Sequence, residues 1–205
     1  MKRLRGILLF VLLIFTLIAC TRENPTNNTS TNNMLTVAEL TEREMAIISM
    51  ISNEYAVFDF KQDSKYKTVS VWIEKYESGK LNSNPIGSIT SGIEEKGSIM
   101  FAMSNSVEDD EQQIIHMGIS DRIGSSVSSS EVDSSDLDQM SSVWGYTDEE
   151  RIPEEGEMVL ASVCYSNDKN GISTLDSDFY RDPEGHIGEL EIYEVVYLLK
   201  VKFIK

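Results

Sequence analysis

Histidine and cysteine are scarce in this 205-residue chain, limited to His116, His186, Cys20 and Cys164. Zinc centres need several such ligands at short spacings, so a zinc site is not expected. Two cysteines provide no disulfide framework, and if Cys20 is modified, Cys164 has no partner within the chain. Basic residues are also few: 18 Lys and Arg stand against 34 Asp and Glu, a formal net charge of −16. A surface of that sign repels phosphate backbones and anionic lipid headgroups, which argues against nucleic acid and against electrostatic membrane binding. It suits a soluble exported protein and leaves cations and basic partners open. No glycine-rich phosphate loop and no G-x-S-x-G elbow occurs in the sequence.

The one long apolar run lies at the start. Residues 1–20 read MKRLRGILLFVLLIFTLIAC: a basic beginning, an apolar stretch from Ile7 to Ile18 broken by Thr16, then Ala19 before Cys20. This is the layout of an export signal, and the stretch falls short of the roughly 20 residues that span a bilayer. Leu17-Ile18-Ala19-Cys20 resembles the lipobox of bacterial lipoproteins. The resemblance implies a diacylglyceryl group on the Cys20 thiol, removal of residues 1–19, and a mature chain held at the outer face of the cell membrane. Two or more acyl chains anchor stably, at about 0.8 kcal/mol for each buried methylene. Loss of Lys2, Arg3 and Arg5 with the signal would leave 15 basic side chains against 34 acidic ones, a formal −19. Residues 21–33, TRENPTNNTSTNN, carry no apolar side chain to bury and are expected to be a disordered tether, bounded at 20–34, before an extracellular domain at 35–205. Such an Asn/Thr-rich spacer resembles those of Gram-positive lipoproteins.

Within that domain, Thr41 and Glu44 form a capping-box pattern, and Met45, Ile48, Ile51 and Tyr55 follow at helical spacing. One helix over 41–54, packed on the domain's own sheet, is predicted. The period then becomes two. Tyr55–Phe60 is a short apolar run, and Thr68–Tyr76 sets Val69, Val71 and Ile73 on one face with Trp72 and Tyr76 on the other. Residues 77–80 read as a turn leading into a return strand from Leu81. Further strands are expected at 98–103, 112–119 and 158–165, and a long one, single or bulged, at 189–205, with Tyr193, Val195, Tyr197, Leu199, Val201 and Phe203 on one face. The Ser-rich, acidic stretch 124–155 reads as a long loop with one short helix around Leu137, Met140 and Trp144. The predicted fold is mainly β: an antiparallel β-sandwich of six to eight strands with one N-terminal helix. The segment WIEKYESGK, 72–80, resembles a strand-turn pair of extracellular domains in Firmicutes lipoproteins, and no site residue follows from it.

Candidate chemistry is sparse. Ser166, Asp168, Asn170 and Gly171 imitate part of an EF-hand loop, but Ser166 lacks the first carboxylate and Ser177 stands where the last is needed. Asp176, Asp178 and Asp182, and the acids at 108–111, read as solvated turns. His116 falls in a strand, His186 in a turn, and Cys164 alternates with Leu160 and Ser162 in an apolar strand, the setting of a buried thiol. Trp144 and Tyr146 flank Gly145, and Trp72 and Tyr76 share a face; these four aromatics are the candidate binding residues, for a protein or a glycan of the envelope. No cofactor is implied. The expected function is a lipid-anchored surface lipoprotein serving as a binding or accessory module. An envelope hydrolase using hidden paired carboxylates is the alternative, and a small solute-binding lipoprotein the third.

Overall fold

The structure, a computed structural model, describes residues 33–52, 54–109 and 111–205. The signal segment 1–19, the lipidation at Cys20 and the tether through residue 32 lie outside the described residues.

Alternation of apolar and polar side chains dictates two sheets that face each other. The first has the order β1 (Met34–Val37), β2 (Glu54–Lys61), β6 (Lys96–Asn105), β7 (Gln112–Asp121) and β8 (Ser125–Asp133). The second runs β4 (Lys80–Leu81), β3 (Thr68–Glu77), β11 (Val195–Ile204), β10 (Met158–Ser166) and β9 (Ser141–Tyr146), with β5 (Gly87–Gly92) also on β3. Every pairing is antiparallel. Phe58, Phe101, Ile115 and Met117 of the first sheet meet Val71, Ile73, Val163 and Leu199 of the second in the main core. Each such side chain contributes about 1.5–3 kcal/mol on leaving water. The protein is therefore an antiparallel β-sandwich, as the sequence predicts, with eleven strands among the described residues rather than six to eight.

A second core lies on the far side of the second sheet. There a short helix α2 (Ser177–Arg181) and a 3-10 segment (Ile187–Ile192) bring Phe179, Tyr180 and Leu190 onto Val159, Cys164, Val196 and Leu198. As a result β10 is buried at all of its positions.

Five expectations change. The helix α1 spans only Glu42–Ile48 and buries none of its residues, whereas Glu54 already belongs to β2. Met34, placed in the expected tether, instead opens β1, and Asn33 before it bonds Asp63. Stretch 124–155 is not one long loop, since it holds β8 and β9, with a turn at 135–139 and no helix. The serines of β8 are small because β5 of the other sheet approaches closely: Ser91 and Ser126 hydroxyls lie 3.2 Å apart, and a Cβ on Gly87 would come within 2.6 Å of Ser130 Oγ. In β10 the register against β11 shifts between Val159 and Ala161. This bulge turns Leu160 and Ala161 both toward the main core and leaves Cys164 facing the second one, so Cys164 and Leu160 do not share a face. Finally, Tyr193 follows the 3-10 segment rather than the strand, and packs in the second core with its hydroxyl donating to Ser173 O at 2.8 Å.

Candidate functional site

The register of the first sheet builds an apolar strip on its outer face. Val57 pairs with Met100, Met100 with Gly118 and Gly118 with Val127, forming one row across four strands. The adjacent row is Tyr55, Ala102, His116 and Ser129. Gly118 matters here because any side chain at that point would intrude on Met100, whose Cε lies 2.9 Å from the Cβ position. Its absence leaves a trough. Over this trough lie Ile47, Ile48 and Ile51, giving a groove of about 290 Å³.

The residues bounding the groove are wet. Ile51 is 63% exposed and Ile47 50%, with Val127 at 69% across the sheet, and Met50 beside them is 78% exposed without lining the groove. A helix usually turns its apolar face to a core; this one presents it to solvent beside an apolar sheet face. Its start is nonetheless firmly set. Thr41 N–H and hydroxyl both donate to Glu44 Oε2, at 2.8 and 2.7 Å, and Glu44 N–H donates to Thr41 Oγ1 at 3.3 Å. The hydrogen bonds from Thr41 hold the Glu44 carboxyl below the usual glutamate range. His116 closes one flank, with Nε2 3.1 Å from Ser104 Oγ and Nδ1 2.9 Å from Ser129 Oγ.

A second concavity, of about 560 Å³, opens where α1 ends and β9 begins. Glu54, Gln113, Asp138, Ser142 and Tyr165 line it together with the apolar Ile51, Met103, Leu137 and Met140. Burial raises the Glu54 carboxyl above its ordinary value. Tyr165 is also raised by burial, and its hydroxyl donates to Gln113 Oε1 at 3.4 Å.

The four aromatics expected to bind partners are placed in two pairs. Trp144 and Tyr146 lie on one face of β9, ring centroids 6.4 Å apart, but that face turns inward: Trp144 packs on Phe101 at 5.3 Å, and Tyr146 meets Phe58 edge-on at 6.4 Å. The Tyr146 hydroxyl donates to Tyr55 O at 3.3 Å, and the ring remains 42% exposed at the edge of the sandwich. Trp72 and Tyr76 do share the outer face of β3. There Glu74 gathers them, accepting from Trp72 Nε1 at 3.2 Å and Tyr76 Oη at 2.9 Å, while Lys200 lies 5.8 Å from the Trp72 ring centroid. Both pairs are thus tied into the protein's own packing.

The remaining polar candidates are engaged locally. Asp168 accepts from Asn170 N–H and Nδ2, both at 2.8 Å, and His186 Nδ1 lies 3.0 Å from Asp182 O. Among the described residues, no group of three or more His, Cys, Asp or Glu side chains is placed to hold a metal ion.

A YgaN domain matches residues 34–203, from the first residue of β1 to the penultimate residue of β11. The chain belongs to the YgaN domain family. The match takes in both sheets, both cores, the groove and the cleft, so all of them are parts of the YgaN domain. The chain has no significant match among curated proteins or among solved structures. Sequence reasoning missed the groove of the YgaN domain because its residues sit on α1, β2, β6, β7 and β8 and meet only through strand register. The one available signal was Met50-Ile51 beside Ile47-Ile48, more apolar surface than a seven-residue helix can hide.

Proposed function

We propose that this chain is a lipoprotein, anchored through Cys20 at the outer face of the cell membrane, whose YgaN domain is a binding module for a polypeptide partner. The observation that carries the reading is the groove between α1 and the first sheet, bounded by Ile47, Ile51 and Val127, all solvent-exposed. Contiguous apolar surface rimmed by polar groups is the mark of an interaction site. Electrostatics narrows the partner: with Glu42 and Glu44 exposed on α1, Glu131 exposed on β8 and an overall charge of −16, the complementary surface is an apolar ridge with basic flanks. The lipobox motif supports the anchor, and the acidity that repels anionic headgroups would keep the groove turned to proteins rather than lipid.

The test is photo-cross-linking in intact cells, with a photoreactive residue at Ile51, at Val127, or at Ile192 on the opposite layer. One defined protein adduct is expected from the first two positions and none from Ile192, with the adducts lost when Met100→Lys places a charge in the trough. Adducts of equal yield at all three positions, or at none, would overturn the reading. Membrane partition lost in Cys20→Ala checks the anchor separately.

A further inference from the structure

We infer that the cleft between α1 and β9 is a distinct binding site for an organic cation, a primary ammonium or a guanidinium, received between Glu54 and Asp138. Its lining holds two carboxylates and no Lys, Arg or His. The Glu54 carboxylate accepts no hydrogen bond and forms no ion pair among the described residues, and burial raises its pKa. A partly desolvated carboxylate without a partner is a costly arrangement that a bound cation relieves. The other lining groups fit the same ligand. Ser142, Asn105 and Gln113 offer oxygen acceptors for the remaining N–H groups, and Ile51, Met103, Leu137 and Met140 provide apolar surface for an alkyl stem. A divalent metal is the poorer occupant, because calcium takes six to eight oxygens and the cleft is lined by only two carboxylates.

The cation has two possible sources with one chemistry. It can belong to a free amine, or to a Lys or Arg side chain of the partner seated in the groove; Ile51 lines both cavities, so the two sites adjoin. The second source rests on the groove reading given above, and the first does not.

Isothermal titration of agmatine, which carries a guanidinium and an ammonium, into the full chain in detergent micelles tests the site. One bound agmatine is expected, with affinity reduced at least tenfold by Glu54→Gln or Asp138→Asn and unchanged by Glu108→Gln in the exposed β6–β7 turn. The two amide variants are near-isosteric, and an unchanged circular-dichroism melt separates loss of the site from loss of the fold. A second arm uses the dipeptide acetyl-Leu-Arg-amide. Binding tighter than agmatine, with the advantage abolished by Ile47→Asp, which lines the groove and not the cleft, assigns the cation to a partner's side chain; agmatine binding as tightly, and surviving Ile47→Asp, assigns it to a free amine. Saturation absent for both probes at millimolar concentration, or binding undiminished in Glu54→Gln, overturns the proposal, while the groove reading stands or falls on its own cross-links.

Discussion

The hydroxyls of Ser162 on β10 and Tyr180 on α2 lie 2.8 Å apart, in space that Gly145 of the neighbouring strand leaves open. A Cβ at residue 145 would collide with the Tyr180 hydroxyl. Gly145→Ala is therefore expected to destabilise by about 1–3 kcal/mol through overpacking, and Tyr180→Phe by about 1 kcal/mol through the lost hydrogen bond. The pair should not add: removing the hydroxyl makes room for the methyl, so the double variant is expected to lose less than the sum. Denaturant unfolding of the four proteins closes the cycle, and strict additivity would refute the contact.

Lys200 is held by Glu157 at 2.9 Å and Glu74 at 3.3 Å, with its side chain and that of Glu74 both largely covered. Burial pushes the Lys200 ammonium down, but the hydrogen bond to Glu157 and the two carboxylate charges outweigh it and raise its pKa. Lys200→Met should cost about 2 kcal/mol by leaving the largely covered Glu74 without its cation, and adding Glu74→Gln should recover part of that loss. A raised lysine pKa contributes stability that is complete below the ordinary lysine range and disappears as the pH climbs through the higher folded value. Wild type should accordingly lose more stability than Lys200→Met between pH 10 and the alkaline unfolding limit, measured by thermal melts.

Cys164 is fully buried in the second core, and burial pushes its thiol up to about 12. The thiolate is the reactive form. Alkylation by iodoacetamide at pH 8 is expected only on unfolding, with a rate that follows the denaturation curve; labelling of the folded protein at the rate of a free thiol would contradict the assignment.

Because α1 buries nothing, its capping box should govern its own order and little else. Thr41→Ala is expected to weaken the helix by about 1 kcal/mol, roughly a fivefold faster amide exchange at Met45 and Ser49. Exchange in β6 and β7 should not change. The Glu44 carboxyl is depressed by its bonds from Thr41, so its contribution is present above the ordinary glutamate pKa and fades as the pH falls through the lower folded value. Protection in α1 should fade in that acidic window in wild type, and depend less on pH in Thr41→Ala, which keeps only the backbone N–H bond to Glu44.

What could be read in advance depended on how locally each feature is encoded. Val69, Val71 and Ile73 alternate within a single strand, and Thr41 and Glu44 sit within one turn, so β3 and the start of α1 were legible. The β8 strand was not, since its serines carry turn statistics and their smallness answers to β5, a segment of the opposite sheet. The facing of Cys164 was hidden by one shifted residue pair at Val159/Ala161. Trp144 shows the same limit: flanked by acids and serines it reads as a loop residue, yet Phe101 of the other sheet receives it. Glu54 and Asp138 belong to elements that the chain connects only through β2 to β8, and no spacing rule joins them.

The strand buried along its whole length has a consequence for how the protein comes apart. Met158–Ser166 supplies side chains to both cores, so peeling away the layer of α2 and the 3-10 segment would strip cover from the same backbone that closes the sandwich. Neither half is expected to hold without the other. Heating is expected to give one transition, with the calorimetric and van't Hoff enthalpies equal, and variants in the outer layer should shift the midpoint of the entire domain rather than open a separate early phase.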